Sequence, residues 1–232
     1  MSSAEAGWLP PNQPYGLTRQ LEDGVRALML DTWYWEGEPA LCHAACELGT
    51  QPLAEGLGEV QAFLDAHPAE VVVILFEDYI TAEDTVRVAT EVGLSARAIT
   101  PPADGDWPTL AELVAADRRI LLMAQGGGGA ADWYVDAWTW TFDTPYSFES
   151  TADFTCDSNR GDPENPLFLV NHWVSDPLST EENAAVANAA AVLEARALAC
   201  QEQWGRPVNT LAVDHYAVGD LFSVVRRLNG LP

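Results

Sequence analysis

Val71-Val72-Val73-Ile74-Leu75-Phe76-Glu77-Asp78 is an unbroken, largely β-branched apolar run that stops on two carboxylates. A run without polar alternation suits a strand buried on both faces, the condition of a parallel sheet covered by helices. Pro68 closes the segment before it, where Leu53, Leu57, Val60, Phe63 and Leu64 fall at helical spacing within 51–66. Residues 82–91 after it read as another helix. The same alternation extends outward in both directions. Upstream, a short helix over 15–23 is closed by Gly24 and followed by a strand over 26–31. Downstream come a helix over 107–116 opened by Pro108-Thr109, a strand over 119–125, a strand over 138–143, an irregular stretch over 144–166 and a strand over 167–172. An Ala-rich helix over 180–204, a strand over 210–214 and a helix over 218–228 complete the chain.

Strands separated by helices make βα units and a parallel sheet, which right-handed crossovers wind into an open sheet or a closed barrel. The Gly126–Gly129 run lacks the G-x-G-x-x-G spacing of a dinucleotide turn and the Lys of a phosphate loop, and is read as a flexible connection. Both architectures stay open at this point, with six strands readable against the eight of a complete (β/α)₈ fold. No repeat or linker divides the 232 residues, so one domain over 1–232 is expected.

Charge narrows the partners. Eleven basic residues, all of them Arg, stand against 35 acidic ones for a net charge of −24, which a nucleic acid or an anionic bilayer would repel. The apolar runs are far shorter than the roughly 18 residues of a membrane span. Cys42, Cys46, Cys156 and Cys200 either remain thiols or form two bridges, for which Cys42–Cys46 with Cys156–Cys200 is a guess that the sequence does not decide. Zinc is disfavoured because no second close ligand pair accompanies Cys42 and Cys46.

The chemistry collects where strands end. Asp31, Glu77 with Asp78, Asn171 with His172, and Asp214 with His215 each terminate an apolar run. In a parallel barrel the carboxyl ends of all strands open on one face, so such residues converge although far apart in sequence. Polar residues also begin ordinary loops, which is the competing explanation for each of them. His43, in Leu41-Cys42-His43-Ala44-Ala45-Cys46, supplies an imidazole able to hand a proton to a leaving oxygen near neutral pH. Strand-end carboxylates also admit a glycoside hydrolase.

Taken together, Gly24-Val25-Arg26-Ala27-Leu28-Met29-Leu30-Asp31, Leu41-Cys42-His43, the Ala66-His67-Pro68-Ala69-Glu70 turn into the strand ending at Glu77, Asn165 to Trp173, and Ala212-Val213-Asp214 resemble one family. It is the phosphatidylinositol-specific phospholipase C X domain with its bacterial phosphodiesterase relatives. The resemblance implies a distorted TIM barrel that cleaves the phosphodiester of a phosphoinositide or a related lipid or polyol phosphate. In that family one histidine deprotonates the attacking hydroxyl and a second protonates the leaving lipid alcohol; His43 occupies the second position. Asp31 and Glu77 fall where calcium-dependent members hold their ion, Ca²⁺ or Mg²⁺. Asp214 matches the acid that orients the first histidine, and Asn171 and His172 are candidates for substrate contact.

Two departures accompany the resemblance. The Thr-x-His-Asn segment that carries the first histidine is not found, and Met29 stands where a further metal-binding acid belongs. The barrel is therefore expected to be incomplete at its N-terminus, with Met1 internal to a longer, exported protein that is secreted or held at the cell surface. The alternative is a silent protein that binds inositol or sugar phosphate. The expected partner is a phospholipid or a small phosphodiester met through peripheral membrane contact.

Overall fold

The computed structural model describes residues 3–103, 105–175 and 178–231. Met1 lies outside them. The chain forms two compact units, Met1–Pro10 with Tyr15–Ala137, and Pro11–Pro14 with Trp138–Pro232.

The first unit holds α1 (Leu17–Asp23), β1 (Ala27–Trp35), β2 (Glu38–Cys42), β3 (Thr50–Pro52), α2 (Leu53–Ala66), β4 (Val72–Asp78), α3 (Ala82–Glu91), α4 (Leu110–Ala115), β5 (Ile120–Ala124) and β6 (Tyr134–Asp136). Its sheet has the order β3-β2-β1-β4-β5-β6, parallel from β1 through β6 and antiparallel at β1–β2 and β2–β3. One face of the sheet packs Leu28, Leu30, Ile74, Phe76 and Leu122 against Leu17, Leu21, Leu57, Leu64 and Val88 of α1, α2 and α3, and these are all buried. The amphipathic spacing within 51–66 thus does what it predicts. Thr81 starts α3 by accepting the Asp84 N–H at 3.2 Å, and Glu83 and Asp84 favour the positive end of that helix.

Three strands of this unit escape the sequence reading. β1 continues past Asp31 to Trp35 and turns at Glu36 (φ 51°) and Gly37 (φ 89°) into β2. Two successive positive φ values are the signature of the tight turn that matches hairpin twist. β3 and β6 are three residues each, too short to show periodicity. The Gly126–Gly129 run proves to be a built turn. The Gly126 N–H donates to Asp78 at 2.6 Å, Gly129 donates to the Tyr134 carbonyl at 2.7 Å, and a Cβ on Gly128 would lie 2.7 Å from the Val135 carbonyl carbon.

The second unit holds α5 (Ala137–Trp140, which begins at the last residue of the first unit), β7 (Thr141–Asp143), β8 (Leu167–Asn171), α6 (Glu181–Ala187), α7 (Ala190–Trp204), β9 (Thr210–Ala212) and α8 (Leu221–Leu228). Its three strands are parallel in the order β7-β8-β9. Phe142, Phe168, Val170 and the Cys156–Cys200 disulfide make the core there, with Trp204 and Leu211 against it. The second disulfide joins Cys42 and Cys46 in the first unit.

Two segments depart from expectation. The stretch 138–143 is strand only from Thr141, because Asn165 donates to the carbonyls of Trp138 (2.7 Å) and Thr141 (3.1 Å) and holds the preceding residues in a helical turn. The single helix over 180–204 is two. Asn188 caps α6 and donates to the Asp214 and Val218 carbonyls, while Asp220 accepts the Ala190 N–H at 2.8 Å and so starts α7 from a distant part of the chain.

Candidate functional site

In the first unit, Asp31 and Glu77 are register partners on β1 and β4 and leave the sheet on the same face, opposite the helix-packed one. One step earlier on that face lie Met29, Leu75 and Met123, in register across β1, β4 and β5. The face therefore passes from an apolar floor to a polar row as the strands approach their carboxyl ends.

His43 joins that row from the end of β2. Its Nδ1 donates to Asp31 Oδ2 at 2.6 Å, and its side chain is 37% exposed. Asp31 itself is buried. Burial pushes the Asp31 carboxyl up, and the hydrogen bond and charge of His43 pull it down. A carboxylate on Nδ1 fixes the tautomer and turns Nε2 outward, where no residue among those described bonds to it. The short loop Cys42–Cys46, closed by its disulfide, restricts the histidine further; Ala44 within it sits at φ 63°, a conformation alanine adopts only where its surroundings impose it.

These residues do not fit the expected divalent cation. Ca²⁺ takes six to eight oxygen ligands. Asp31 Oδ2 is engaged by His43, Met29 and Leu75 offer no oxygen, and among the described residues no three His, Cys, Asp or Glu side chains are grouped closely enough to hold an ion.

In the second unit, Asn171 and His172 are fully buried, which removes them from the substrate contact expected of them. Asn171 Nδ2 donates to Asp143 Oδ2 at 2.9 Å and to the Thr144 carbonyl at 2.6 Å. Asp143, also fully buried, is clamped by Arg160, whose guanidinium lies over Trp138 at 4.1 Å and Tyr146 at 4.7 Å. Arg196 donates to the Asn171 carbonyl at 2.7 Å and to His172 Nδ1 at 3.4 Å, so His172 is protonated on Nε2, which donates to the Ala187 carbonyl at 2.8 Å. Burial first, and then the nearby Arg196 charge, lower the His172 pKa to about 4 despite that carbonyl. Asp214 follows β9 half-buried, and its neighbour His215 is buried at φ 48° with neither ring nitrogen hydrogen-bonded among the described residues.

The structure thus brings His43 and Asp31 into direct contact, sets Glu77 beside Asp31 in register, and carries Asp214, Asn171 and His172 in the other unit. Sequence reasoning missed Arg196 and Asp143, because a buried polar network leaves no local pattern. It also missed Trp33 and Tyr79, two residues beyond Asp31 and Glu77 on the same strand faces. Strand periodicity of two would have found that pair.

Phosphatidylinositol-specific phospholipase C of Staphylococcus aureus superposes with a TM-score of 0.61, at 16% identity over 98% of this chain and 86% of its own. The enzyme of Listeria monocytogenes gives 0.57, at 17% identity over 99% and 86%. At such identities the likeness establishes the fold alone, a TIM-barrel-like α/β architecture. The family profile described as PI-PLC X matches residues 2–229, and the chain belongs to that family. Two relatives in Arthroderma benhamiae, named "Uncharacterized secreted protein" and "PI-PLC X domain-containing protein 1", are each 27% identical, over 97% and 96% of this chain. A PI-PLC X domain-containing protein of Arabidopsis thaliana is 27% identical over 94%. The chain spans 58%, 80% and 55% of these three.

Proposed function

We propose that this chain is a phosphodiester hydrolase of the phospholipase C type in which His43 is the general acid and Asp31 its orienting carboxylate. The observation that carries the reading is the 2.6 Å bond from His43 Nδ1 to a buried Asp31. As the attacking hydroxyl oxygen bonds to phosphorus, the bond from phosphorus to the leaving alcohol breaks, and that oxygen takes the proton from His43 Nε2. Asp31 stabilises the imidazolium before transfer and holds the ring in its working tautomer. No step is routed through a metal ion. The substrate is a phosphoinositide or related lipid or polyol phosphodiester, in keeping with the family. No helix among the described residues is long and apolar enough to cross a membrane, so contact with lipid is peripheral in this reading. An oxidising compartment outside the cytosol suits the two disulfides and the secreted relative.

The test is hydrolysis of a chromogenic inositol phosphodiester by the protein expressed from its complete gene. His43→Ala should lower kcat by about 10²–10⁴, and Asp31→Asn by a smaller factor. Parental turnover in His43→Ala would remove the histidine from the mechanism. Tight substrate binding without turnover in the parent would establish a binding protein instead.

A further inference from the structure

The face that carries Asp31 and Glu77 does not end with them. Thr32 and Asp78 are the last register partners of β1 and β4, and the N–H of Tyr79, the residue after β4, donates to the Thr32 carbonyl at 3.0 Å and so brings Tyr79 beside Trp33. Their rings stack with centroids 4.1 Å apart and planes 21° from parallel. Strand periodicity places this pair on the same face as the acids and one step, about 7 Å, beyond them. Three successive levels therefore line the face: Met29 and Leu75, then Asp31 and Glu77 with His43 bonded to Asp31, then Trp33 and Tyr79.

Stability does not account for the upper level. Neither ring belongs to the core packed between the sheet and α1 to α3, and Tyr79 is 52% exposed. The Trp33 indole N–H is closed off from water with no acceptor among the described residues. A buried donor without a partner is a cost that Phe would avoid. What the level does provide is a flat apolar surface one step along the face from Asp31, the partner of His43. Of the residues on this face, Asp31 and Glu77 offer an apolar substituent nothing, whereas the stacked rings one step beyond them offer it a surface. The overall charge of −24 supplies no attraction to an anionic lipid surface either, so affinity for an apolar substituent has to come from contacts of this kind.

We propose that Trp33 and Tyr79 are specificity-determining residues that receive the first carbons of the leaving alcohol and set a preference for an apolar one. The inference rests on the reading of His43 as general acid. The probes are the methyl and the octyl phosphodiesters of inositol, the latter below its micellar concentration, with binding measured by calorimetry and turnover measured separately. The parent should bind the octyl ester about tenfold more tightly than the methyl ester. Trp33→Ala should bring that ratio to within about threefold, Trp33→Phe should keep it, and Tyr79→Ala, at a half-exposed ring, should reduce it. A parent that does not discriminate, or that binds neither ester, overturns the proposal, as does a ratio left unchanged by both alanine variants. Discrimination without turnover supports the aromatic subsite and removes the hydrolase reading; turnover without discrimination does the reverse.

Discussion

His43 follows the antiparallel strand β2 and His172 the parallel strand β8, and the two units treat them in opposite ways. His43 keeps one nitrogen on a buried carboxylate and the other toward solvent. His172 is sealed in, accepting from Arg196 on one nitrogen and donating to the Ala187 carbonyl from the other, with Phe154 against its ring. An imidazole with a charged partner and an open nitrogen can move a proton, whereas one with both nitrogens occupied and no counter-charge stays neutral and serves as a bracket. The difference teaches that a polar residue at a strand end is a question about its partners. Two histidines, each at the end of a strand, thus finish in different surroundings, one with an open nitrogen and one sealed in.

Arg196 breaks the comparison most severely. Its guanidinium is buried with no carboxylate bonded to it among the described residues; it is held by the Asn171 and Thr155 carbonyls, Thr144 and the faces of Phe154 and Phe148. Burial pushes its pKa down to about 10. Arg196→Ala strands those carbonyls and opens a cavity, and should cost about 3–5 kcal/mol in urea unfolding. A loss below about 1 kcal/mol would show that the network is not a fastener.

Acid sharpens the comparison next. The folded-state pKa of His172 near 4 lies below the unfolded value near 6.5, so the unfolded chain binds the additional proton between those limits. Its contribution is complete above pH 6.5 and is lost as pH falls toward 4, by about 3 kcal/mol in all. His172→Phe should flatten that part of the stability profile measured by chemical denaturation. An unchanged slope in the variant would assign the acid sensitivity to other groups.

The smallest expected effect is on stability at the other histidine. His43→Gln retains a donor for Asp31 at a half-exposed position and should move the unfolding free energy by no more than about 0.5 kcal/mol, while hydrolysis falls steeply. A large loss of stability would make His43 a second bracket and dissolve the distinction between the units.

Much of this was legible beforehand. The run 71–78 becomes β4, the spacing within 51–66 becomes α2, and the residues that carry the family resemblance lie in a chain that belongs to that family. What failed did so for identifiable reasons. The break between α6 and α7 is imposed by Asp220, thirty residues beyond the N–H that it accepts. The glycines at 126–129 look flexible in one dimension and are a turn fastened to Asp78 and Tyr134 in three.

Periodicity, β-branching and turn residues determined the order of helices and strands, because each acts within a few positions of the chain. Which strand-end groups meet was decided only by register and packing. Asp31 was read as a metal ligand and holds a histidine; His172 was read as a substrate contact and sits out of reach of solvent. A carboxylate or an imidazole takes its role from the charge, hydrogen bonds and exclusion of water around it, and those come from residues that only the folded chain brings near.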